Sequence, residues 1–469
     1  MEVDAPVSQH LPDRAASCAA VLVAAPASGQ GKTTVAAALA RLHARQGRRV
    51  RAFKCGPDFL DPHWLRLATG APVHSLDLWM TGEADCRARL HAAAAESDLV
   101  IVEGVMGLFD GTPSAADLAQ RFGLPVLAVI DAHAMAGTFG ALAHGLQSFR
   151  PGLPWAGVLA NRVAGEHHAD MLRGALREPA DWLGALPRDA GFSLPERHLG
   201  LVAAHELGDA AERLDRVADA LAGTPLGSLQ LPQVRFEAPP AGEVAPIAPL
   251  LAGRTIGIAR DAAFSFIYPA NLDTLNALGA RLVFFSPLAG EALPDCDALW
   301  LPGGYPELHA ATLARRSDLR AALAAHAAAG RPIWAECGGM MALFDEIAVP
   351  GIGDGDEAAV HALWGLLPGR VTLQKRLAGL GPQALALGAH TLRGHTFHYS
   401  RCETPLVPAA HSRRPQGTAG GEALYVRGAV RASYFHAWFA SSPEATARLF
   451  DAAPLETGAP VAQEHRVDA

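Results

Sequence analysis

The feature that most constrains the fold of this chain is an alternation, present in both halves, of short continuous apolar runs with longer Ala- and Leu-rich stretches. Runs that are apolar at every position predict strands buried on both faces, and the stretches between them are long enough for helices. Such an alternation is typical of parallel sheets covered by helices on both faces. The expected strands are residues 20–25, 49–54, 99–103, 125–131 and 156–161 in the first half, and 255–260, 281–286, 298–302 and 332–335 in the second.

The second half continues into a strand-rich end, and a proline-rich segment separates it from the first half. Residues 237–249 contain proline and small residues without apolar periodicity, which favours a semi-rigid linker. We predict an α/β chain of two doubly wound domains, over residues 1–238 and 253–452, with a linker over 239–252 and a tail over 453–469. The strands expected at the end are residues 365–373, 391–400, 423–426 and 430–435.

Composition argues against several classes of protein. Hydrophobic residues make up 50% of the 469 residues and charged residues 18%, which indicates folded cores rather than disorder. The net charge of −8 argues against a dedicated nucleic-acid binder. No apolar stretch reaches the roughly 18 residues of a membrane span, and the polar N-terminus is unlike a signal peptide. Because the six cysteines form no CxxC pair, we expect reduced thiols in a cytoplasmic protein, without a membrane or nucleic-acid partner.

The segment over residues 28–34 follows an apolar run and precedes an Ala-rich helix, as a phosphate-binding loop does. Its residues are Ser28, Gly29, Gln30, Gly31, Lys32, Thr33 and Thr34. Backbone N–H groups can wrap a phosphate here, Lys32 can reach the β- and γ-oxygens of a nucleotide, and the Thr33 hydroxyl can bind Mg²⁺. Pro26 stands where the usual first glycine would be, and a plain glycine turn before a helix is the alternative. The pattern predicts an ATP-binding domain.

Acidic side chains follow the next two expected strands of this half. Asp58 and Asp61 come after the second strand, and Glu103 and Asp110 come at the end of the third strand and after it. Ligands of open parallel sheets bind at the carboxyl ends of the strands, where these four carboxylates would converge. A carboxylate near a magnesium nucleotide acts as a direct or water-mediated ligand, so these side chains are candidate metal ligands. The alternative is that these carboxylates only stabilise turns and cap helices.

A cysteine, a histidine and a glycine pair lie at expected strand ends of the second half. Cys337 stands between an apolar run and a helix, where we expect an exposed sulfur whose pKa is lowered by the helix N-terminus. His436 is the expected base, because the fold brings such a pair together. Gly303 and Gly304 supply backbone N–H groups suited to an oxyanion hole. Each feature alone is more often structural, but the three together indicate nucleophilic catalysis.

These residues resemble a class I glutamine amidotransferase domain, which has a flavodoxin-like fold. The resemblance implies that Cys337 attacks the side-chain amide of glutamine and that His436 activates the thiol. Ordinary members of the class carry Glu two residues after the histidine, and Trp438 stands at that position here. The third member of the catalytic group is therefore open, and the departure favours the branch that works with a Cys–His pair.

The succession of the two domains resembles the cobyrinic acid and hydrogenobyrinic acid a,c-diamide synthase family over nearly the whole chain. The sequence departs from the family at two positions that bear on substrate contacts. Phe59 stands where the family often has Tyr, and Thr396 stands where Glu is expected. The segments that carry the resemblance are residues 54–58, 161–163, 183–188, 194–201, 263–268, 301–309 and 394–400.

The resemblance implies a glutamine-dependent carbon–nitrogen ligase of cobalamin biosynthesis that amidates the a and c side-chain carboxylates of a corrinoid (tetrapyrrole) polycarboxylate. Its first domain is similar to dethiobiotin synthetase, so ATP would turn a carboxylate into an acyl phosphate that ammonia from glutamine displaces. ATP and Mg²⁺ are the implied cofactors, and the resemblance implies that Thr33, Asp58 and Glu103 hold the metal. Lys54 and Asn161 join the implied ATP-binding residues, although Asn161 is equally suited to capping a helix. Asp61 and Asp110 are candidates for steering substrate or ammonia.

Several alternatives stay open at this point. The substrate is cobalt-free or cobalt-containing, the order of amidation is open, and a homodimer is one possible oligomeric state. A sibling amidotransferase, such as cobyric acid synthase or nickel-sirohydrochlorin diamide synthase, is the nearest alternative enzyme. A P-loop ATPase that acts only by binding is the alternative of another class. We expect His395 and His398 to shape the site rather than to bind a metal.

Overall fold

A computed structural model describes residues 15–192, 194, 196–197, 200–201, 207–240, 242, 246–350, 359–415 and 420–457. The chain divides into two compact units, Met1–Ala245 and Pro246–Ala469. This division falls inside the linker predicted over residues 239–252, and the exact domain and linker bounds stay predictions. Residues 458–469 of the predicted tail lie outside the described residues.

The first unit is built on one large sheet with the strand order β3-β2-β4-β1-β5-β6-β7. Its strands are β1 (Ala16–Ala24), β2 (Val50–Cys55), β3 (His74–Leu76), β4 (Leu99–Glu103), β5 (Val126–Asp131), β6 (Trp155–Val163), β7 (Trp182–Pro187), β8 (Glu196–Arg197), β9 (Gly200–Leu201) and β10 (Gln233–Phe236). Its helices are α1 (Lys32–Arg45), α2 (Asp61–Thr69), α3 (Glu83–Glu96), α4 (Ala115–Phe122), α5 (Gly137–Ser148), α6 (Glu166–Gly174), α7 (Ala210–Ala222) and α8 (Pro225–Ser228). The seven strands of this order run parallel to their neighbours.

Both faces of this sheet are buried, as the continuous apolar runs predict. On β1, Leu22 packs into the core on one face, whereas Val21 and Val23 pack into the core on the other face. Strand β10 returns to the sheet and pairs antiparallel with the first residues of β1, from Ala16 opposite Phe236 to Ala19 opposite Gln233. The chain therefore leaves this sheet at the end of β1 that is farther from the loop following Ala24.

The second unit contains a sheet with the order β12-β11-β13-β14-β23-β22-β21. The strands of this unit are β11 (Thr255–Ala259), β12 (Arg281–Phe285), β13 (Ala298–Leu301), β14 (Ile333–Glu336), β15 (Phe344–Val349), β16 (Ala359–Ala362), β17 (Leu367–Leu373), β18 (Gly379–Leu387), β19 (His390–His398), β20 (Ser400–Glu403), β21 (Ala410–His411), β22 (Ala423–Arg427), β23 (Val430–Ser433) and β24 (His436–Ala437). Its helices are α9 (Pro269–Ala277), α10 (Ala310–Ala314), α11 (Ser317–Ala328), α12 (Gly338–Leu343) and α13 (Pro443–Leu449). The first five strands of the order are parallel and follow the flavodoxin-like succession, which confirms the expected fold class.

Two predicted strands of the second unit are divided in the structure. The run predicted over residues 391–400 breaks at Tyr399, because β19 pairs with β18 and β24 whereas β20 pairs with β17. The run predicted over residues 430–435 ends at Ser433, whose Oγ accepts a hydrogen bond from Phe435 N at 3.1 Å. The chain thereby leaves the main sheet, and His436 pairs with His395 on β19 instead.

Within the described part of the chain, no helix combines the length and the apolar character needed to cross a membrane.

Candidate functional site

The predicted phosphate-binding loop lies between the carboxyl end of β1 and the first residue of α1, Lys32. Gly29 and Gly31 have φ values of 76° and 94°, in the left-handed region that glycine adopts without steric cost. The Gly29 carbonyl accepts a hydrogen bond from Arg162 Nη1 at 3.1 Å, and Ser28 is exposed at the tip of the loop. The backbone of the loop thus has the bend that a phosphate cradle requires.

A backbone N–H group at the end of β5 and a side chain near the end of β6 hold this loop. Asn161 Nδ2 donates to Gln30 O at 2.9 Å, and the backbone N of Asp131 donates to Gln30 Oε1 at 2.9 Å. A Cβ atom at Gly31 would lie 2.3 Å from Asn161 Nδ2, so only glycine fits there. Asn161, which the sequence suggested as a nucleotide contact or a helix cap, supports the loop backbone, and its contact with a nucleotide stays a prediction. The support by Asp131 was missed, because a strand-end Asp has no distinguishing pattern.

Lys32 is buried and points back across the loop. Its Nζ donates to Ala27 O at 3.0 Å and to Met106 O at 2.6 Å. Burial first, and the neighbouring Lys54 second, lower the pKa of Lys32 to about 8. Two backbone carbonyls therefore occupy two of the three N–H donors of this ammonium group. Met106 was missed because its contribution is a backbone atom.

Four of the predicted site residues meet at the ends of β2 and β4. Lys54 Nζ donates to Asp61 Oδ2 at 2.6 Å and to Glu103 Oε1 at 3.0 Å. Thr33 Oγ1 donates to the same Glu103 oxygen at 2.6 Å. The structure thus brings Thr33, Lys54, Asp61 and Glu103 into one hydrogen-bonded cluster, which we call the lysine–carboxylate cluster.

The charges of this cluster compensate one another in a buried setting. Burial alone would lower the pKa of Lys54, but Asp61 and Glu103 raise it above its ordinary value. Burial would likewise raise the pKa of Asp61, yet Lys54 lowers it below its ordinary value. Burial and the charge of Asp61 raise the pKa of Glu103. The cluster therefore keeps a charged Lys54 paired with an ionised Asp61.

The other two predicted carboxylates make local turn contacts. Asp58 Oδ1 accepts hydrogen bonds from Leu60 N at 2.8 Å and Asp61 N at 3.0 Å, at the start of α2. Asp110 Oδ2 accepts a hydrogen bond from Gly107 N at 2.8 Å and closes a turn. Their expected roles with metal or substrate stay predictions.

The residues present fit a magnesium ion bound together with a nucleotide. Glu103 Oε2 is buried and has no hydrogen-bond partner among the described residues, although its other oxygen is fully engaged. Within the same described set, no group of three or more His, Cys, Asp and Glu residues forms a metal site. Mg²⁺ usually needs only one or two protein carboxylates when phosphates complete its shell, and Glu103 beside Thr33 matches that need.

In the second unit, Cys337 occupies a sharp turn between β14 and α12. It has a φ of 45°, which is uncommon for a residue other than glycine, and its N donates to Ser433 O on β23 at 2.8 Å. Gly338 must be glycine, because a Cβ there would lie 2.8 Å from Gly304 O and 2.9 Å from Gly304 N. The predicted nucleophile thus stands at a strained elbow against the predicted oxyanion-hole loop.

The structure also brings Gly303 and His436 together. A Cβ atom at Gly303 would lie 2.4 Å from His436 Cε1, so the glycine backbone lies directly against the imidazole. The carboxylate of Glu336, the residue before Cys337, has its Oε2 4.0 Å from His436 Nδ1. The ring of His395 stacks on His436 at a centroid distance of 4.9 Å and an interplanar angle of 14°. Glu336 was not predicted as a site residue, since only the fold reveals this contact.

The expected lowering of the Cys337 pKa is wrong. Burial, followed by the charge of Glu307, raises the pKa of this thiol well above its ordinary value, and the thiol is only 4% exposed. Burial also lowers the pKa of His436 well below its ordinary value and raises that of Glu336 to about 8. Burial outweighs the effect of the short helix α12, so a thiol proton must be taken by a base during reaction.

A second polar group in this unit surrounds the position where the sequence departs from expectation. Thr396 Oγ1 donates to Glu422 Oε1 at 2.9 Å, and His398 Nε2 lies 3.2 Å from the same oxygen. The ring of His398 stacks on Tyr434 at 3.7 Å. Glu422 thus brings a carboxylate to the Thr396 position from another part of the chain, and nothing in its local sequence predicted this.

Comparison with known proteins gives the same division of the chain. Residues 21–202 match the CobQ/CobB/MinD/ParA nucleotide binding domain, and residues 255–444 match the CobB/CobQ-like glutamine amidotransferase domain. The chain is 58% identical over 434 residues to hydrogenobyrinate a,c-diamide synthase of Stutzerimonas stutzeri, covering 92% of this chain and 98% of that protein. It is 56% identical to the protein of that name from Pseudomonas aeruginosa, with the same coverage. Cobyrinate a,c-diamide synthase of Herminiimonas arsenicoxydans is 48% identical, covering 92% of this chain and 96% of that protein.

Proposed function

This chain belongs to the a,c-diamide synthase family of glutamine-dependent ligases, and we propose that it amidates the a and c side-chain carboxylates of hydrogenobyrinate. The relatives at 58% and 56% identity bear the hydrogenobyrinate name, and the relative at 48% bears the cobyrinate name, which favours the cobalt-free substrate. The observation that carries the proposal is the presence in one chain of a phosphate-type loop with its lysine–carboxylate cluster and of a cysteine elbow beside His436.

A carboxylate needs activation before it can become an amide, and the first unit has the residues for it. In the proposed step a substrate carboxylate oxygen attacks the γ-phosphorus of ATP, ADP leaves, and an acyl phosphate forms. The loop N–H groups, Lys32 and Lys54 would hold and neutralise the phosphates. Thr33, Glu103 and Asp58 would hold Mg²⁺, which supplies further neutralisation of phosphate charge when bound.

The second unit would supply ammonia. His436 takes the proton of the Cys337 thiol, and the sulfur attacks the side-chain amide carbon of glutamine. The C–N bond breaks, and the proton leaves with the nitrogen as ammonia, so that a thioester remains on Cys337. Water then releases glutamate and restores the thiol. The backbone N–H groups of Gly303 and Gly304 would bind the oxyanion.

Ammonia would then displace phosphate from the acyl phosphate to give the amide, and a second round would complete the diamide. Asp61 and Asp110 stay candidates for steering substrate or ammonia, although Asp61 is already engaged by Lys54 at 2.6 Å. A cytoplasmic location and a homodimeric state belong to the same proposal, and light scattering of the purified chain tests the second of these.

The test is a mass-resolved turnover assay with ATP, Mg²⁺ and glutamine, in which hydrogenobyrinate and cobyrinate are offered separately. We expect hydrogenobyrinate to lose, twice, the mass difference between a hydroxyl and an amino group. Turnover of cobyrinate alone would move the proposal to the cobalt-containing substrate. If neither compound changes mass although glutamine is hydrolysed, the diamide synthase proposal fails and a sibling substrate takes its place.

A further inference from the structure

The buried carboxylate of Glu336 has no role in the proposed reaction. Glu336 ends β14 directly before Cys337, and its side chain is 2% exposed. The position two residues after His436 holds Trp438, whose N donates to Arg393 O at 2.8 Å and whose ring packs against Tyr268 at 4.9 Å. Trp438 has no carboxylate to offer, so any acidic partner of His436 must come from elsewhere.

The side chain of Glu336 is fixed at one edge of the His436 imidazole. Its Oε1 accepts hydrogen bonds from Trp334 Nε1 at 2.7 Å and from Ala437 N at 3.3 Å. These contacts orient the second oxygen, Oε2, toward His436 Nδ1 at 4.0 Å. Because Ala437 follows His436 and Glu336 precedes Cys337, one side chain ties the nucleophile elbow to the histidine strand.

Other titratable groups face His436 from different elements. On β19, His395 stacks on the imidazole and His398 adds to the lowering of its pKa. Tyr268 OH lies 2.8 Å from His395 Nε2, so it engages His395 rather than His436 directly. The carboxyl groups that act on the Cys337 thiol are Glu307, Glu422 and Glu336, and Glu336 is the one of these within 4.0 Å of His436.

We propose that Glu336 is the positioning residue of His436, taking the place of the carboxylate that the class normally carries after the histidine. At 4.0 Å from Nδ1, the charge of an ionised Oε2 favours the Nδ1–H tautomer, which leaves Nε2 as the base for the Cys337 thiol. When the thiol proton moves to Nε2, the ionised Glu336 stabilises the imidazolium that results. This inference rests on the proposed glutamine hydrolysis, because it assigns a role within that step.

The charge states of the buried groups make such a partner necessary. Burial favours a neutral thiol and a neutral imidazole, so a thiolate–imidazolium pair is costly without a nearby anion. Burial also raises the pKa of Glu336 to about 8, so its ionised fraction grows as the pH rises to that value. Glutaminase activity is therefore expected to rise with pH, and the rising part of its pH profile should lie near the pKa of Glu336, about 8. We call this rise the limb near pH 8.

The test compares Glu336→Gln with the unchanged chain in a glutaminase assay from about pH 6 to about pH 9. The glutamine side chain keeps an oxygen that accepts from Trp334 and Ala437, but it has no charge. We expect kcat to fall by about 100-fold or more, KM for glutamine to change little, and the limb near pH 8 to vanish. Ammonia-dependent amidation should persist, since it bypasses this step.

Glu403→Gln is the control, because it removes an exposed carboxyl group on β20, a strand that pairs with β17. The limb near pH 8 is expected to stay in this variant. A purely structural Glu336 would lower the melting temperature without removing that limb. If folded Glu336→Gln shows the kcat and the pH limb of the unchanged chain, the inference is overturned and the proposed function stands. If the unchanged chain does not hydrolyse glutamine, the proposed function itself fails.

A second variant covers the case in which Glu336→Gln does not fold. Trp334→Phe keeps the carboxylate and removes a donor to it, which raises the pKa of Glu336 further. The activity limb should then move to higher pH in the folded variant. An unmoved limb in folded Trp334→Phe protein would contradict the role given to Glu336.

Discussion

The two candidate sites are both deeply buried, but burial has opposite outcomes in them. In the lysine–carboxylate cluster, Lys54 keeps its charge because Asp61 and Glu103 surround its ammonium group. At the cysteine elbow, burial shifts the pKa of Cys337 upward and that of His436 downward, so both groups are neutral at rest. The first site has charges in place before any ligand arrives, whereas the second must create its charges by proton transfer.

The difference follows from whether a cation lies among the buried acids. Removal of a charge from water is costly, and a close opposite charge offsets that cost only when the geometry is good. Lys54 lies at 2.6 Å and 3.0 Å from two carboxylates and supplies that offset. The neighbours that shift the pKa of His436 are other imidazoles, His395 and His398, which disfavour a positive charge. The first site can therefore keep ionised groups buried, and the second keeps its groups neutral.

The largest effect is expected when the thiol that attacks glutamine is removed. We expect Cys337→Ala to lose glutamine-dependent amidation by about 10³-fold or more while ammonia-dependent amidation is kept. The control is Cys296→Ala, because Cys296 is equally buried in the same unit but lies outside the elbow. Loss of both activities in folded Cys337→Ala protein would mean that the two sites are not chemically separable.

The next effect tests the charged site. Lys54→Met leaves Asp61 and Glu103 buried without their cation, so we expect the free energy of unfolding of the first unit to fall by about 3–5 kcal/mol. Denaturant titration measures this loss, and glutaminase activity of the second unit should survive it. Lys375→Met, at an exposed position, is the control and should leave stability within about 0.5 kcal/mol. A Lys54→Met protein as stable as the unchanged chain would show that the cluster does not hold its charges as described.

A smaller effect is expected from crowding the histidine. In Gly303→Ala, the added methyl group would lie 2.4 Å from His436 Cε1, so the imidazole must move. We expect glutaminase kcat to fall by about 10²-fold, with ammonia-dependent amidation unaffected. Gly145→Ala, in a helix where the new Cβ meets no atom within 4 Å, is the control. Unchanged glutaminase in Gly303→Ala protein would contradict the contact between Gly303 and His436.

The last effect concerns stability and its dependence on pH. Glu336 keeps its proton in the folded chain up to about pH 8, whereas the unfolded chain loses it near the ordinary value of 4.5. Between these values the unfolded state binds fewer protons, so this group's contribution to stability falls as pH rises. The melting temperature of the unchanged chain should therefore drop relative to that of Glu336→Gln across this window and run parallel above it. A constant difference across the window would mean that burial does not raise the pKa of Glu336.

Much of the fold could be predicted from apolar runs, but the polar strands could not. Residues 99–103 were predicted as a strand, and β4 has those bounds, because every side chain there is buried. Strands such as β18 (Gly379–Leu387) and β15 (Phe344–Val349) were missed, since part of each strand is exposed and its sequence is mixed in polarity. The break at Ser433 depends on one side-chain hydrogen bond, which has no counterpart in hydrophobic patterning.

The candidate sites show the same limit. Cys337, Gly303 and His436 were predicted because strand ends collect reactive groups, and the fold brings the three together. The direction of the Cys337 pKa shift was predicted wrongly, because the depth of burial depends on side chains far along the chain. Glu336 and Glu422 were overlooked for a related reason, since each carboxylate contacts a residue on another strand that the local sequence does not reveal.

The antiparallel pairing of β10 with β1 also has a mechanical meaning. Tension applied to the chain beyond Phe236 would first load the four backbone pairs that join residues 233–236 to residues 16–19. These pairs lie at the end of β1 opposite the phosphate-type loop, and the remainder of β1 is clamped between β4 and β5. A pull from that side would thus peel off a short strand before any strain reached Gly29 or Lys32. The loop over residues 28–34 can therefore keep its conformation while the chain beyond Phe236 moves.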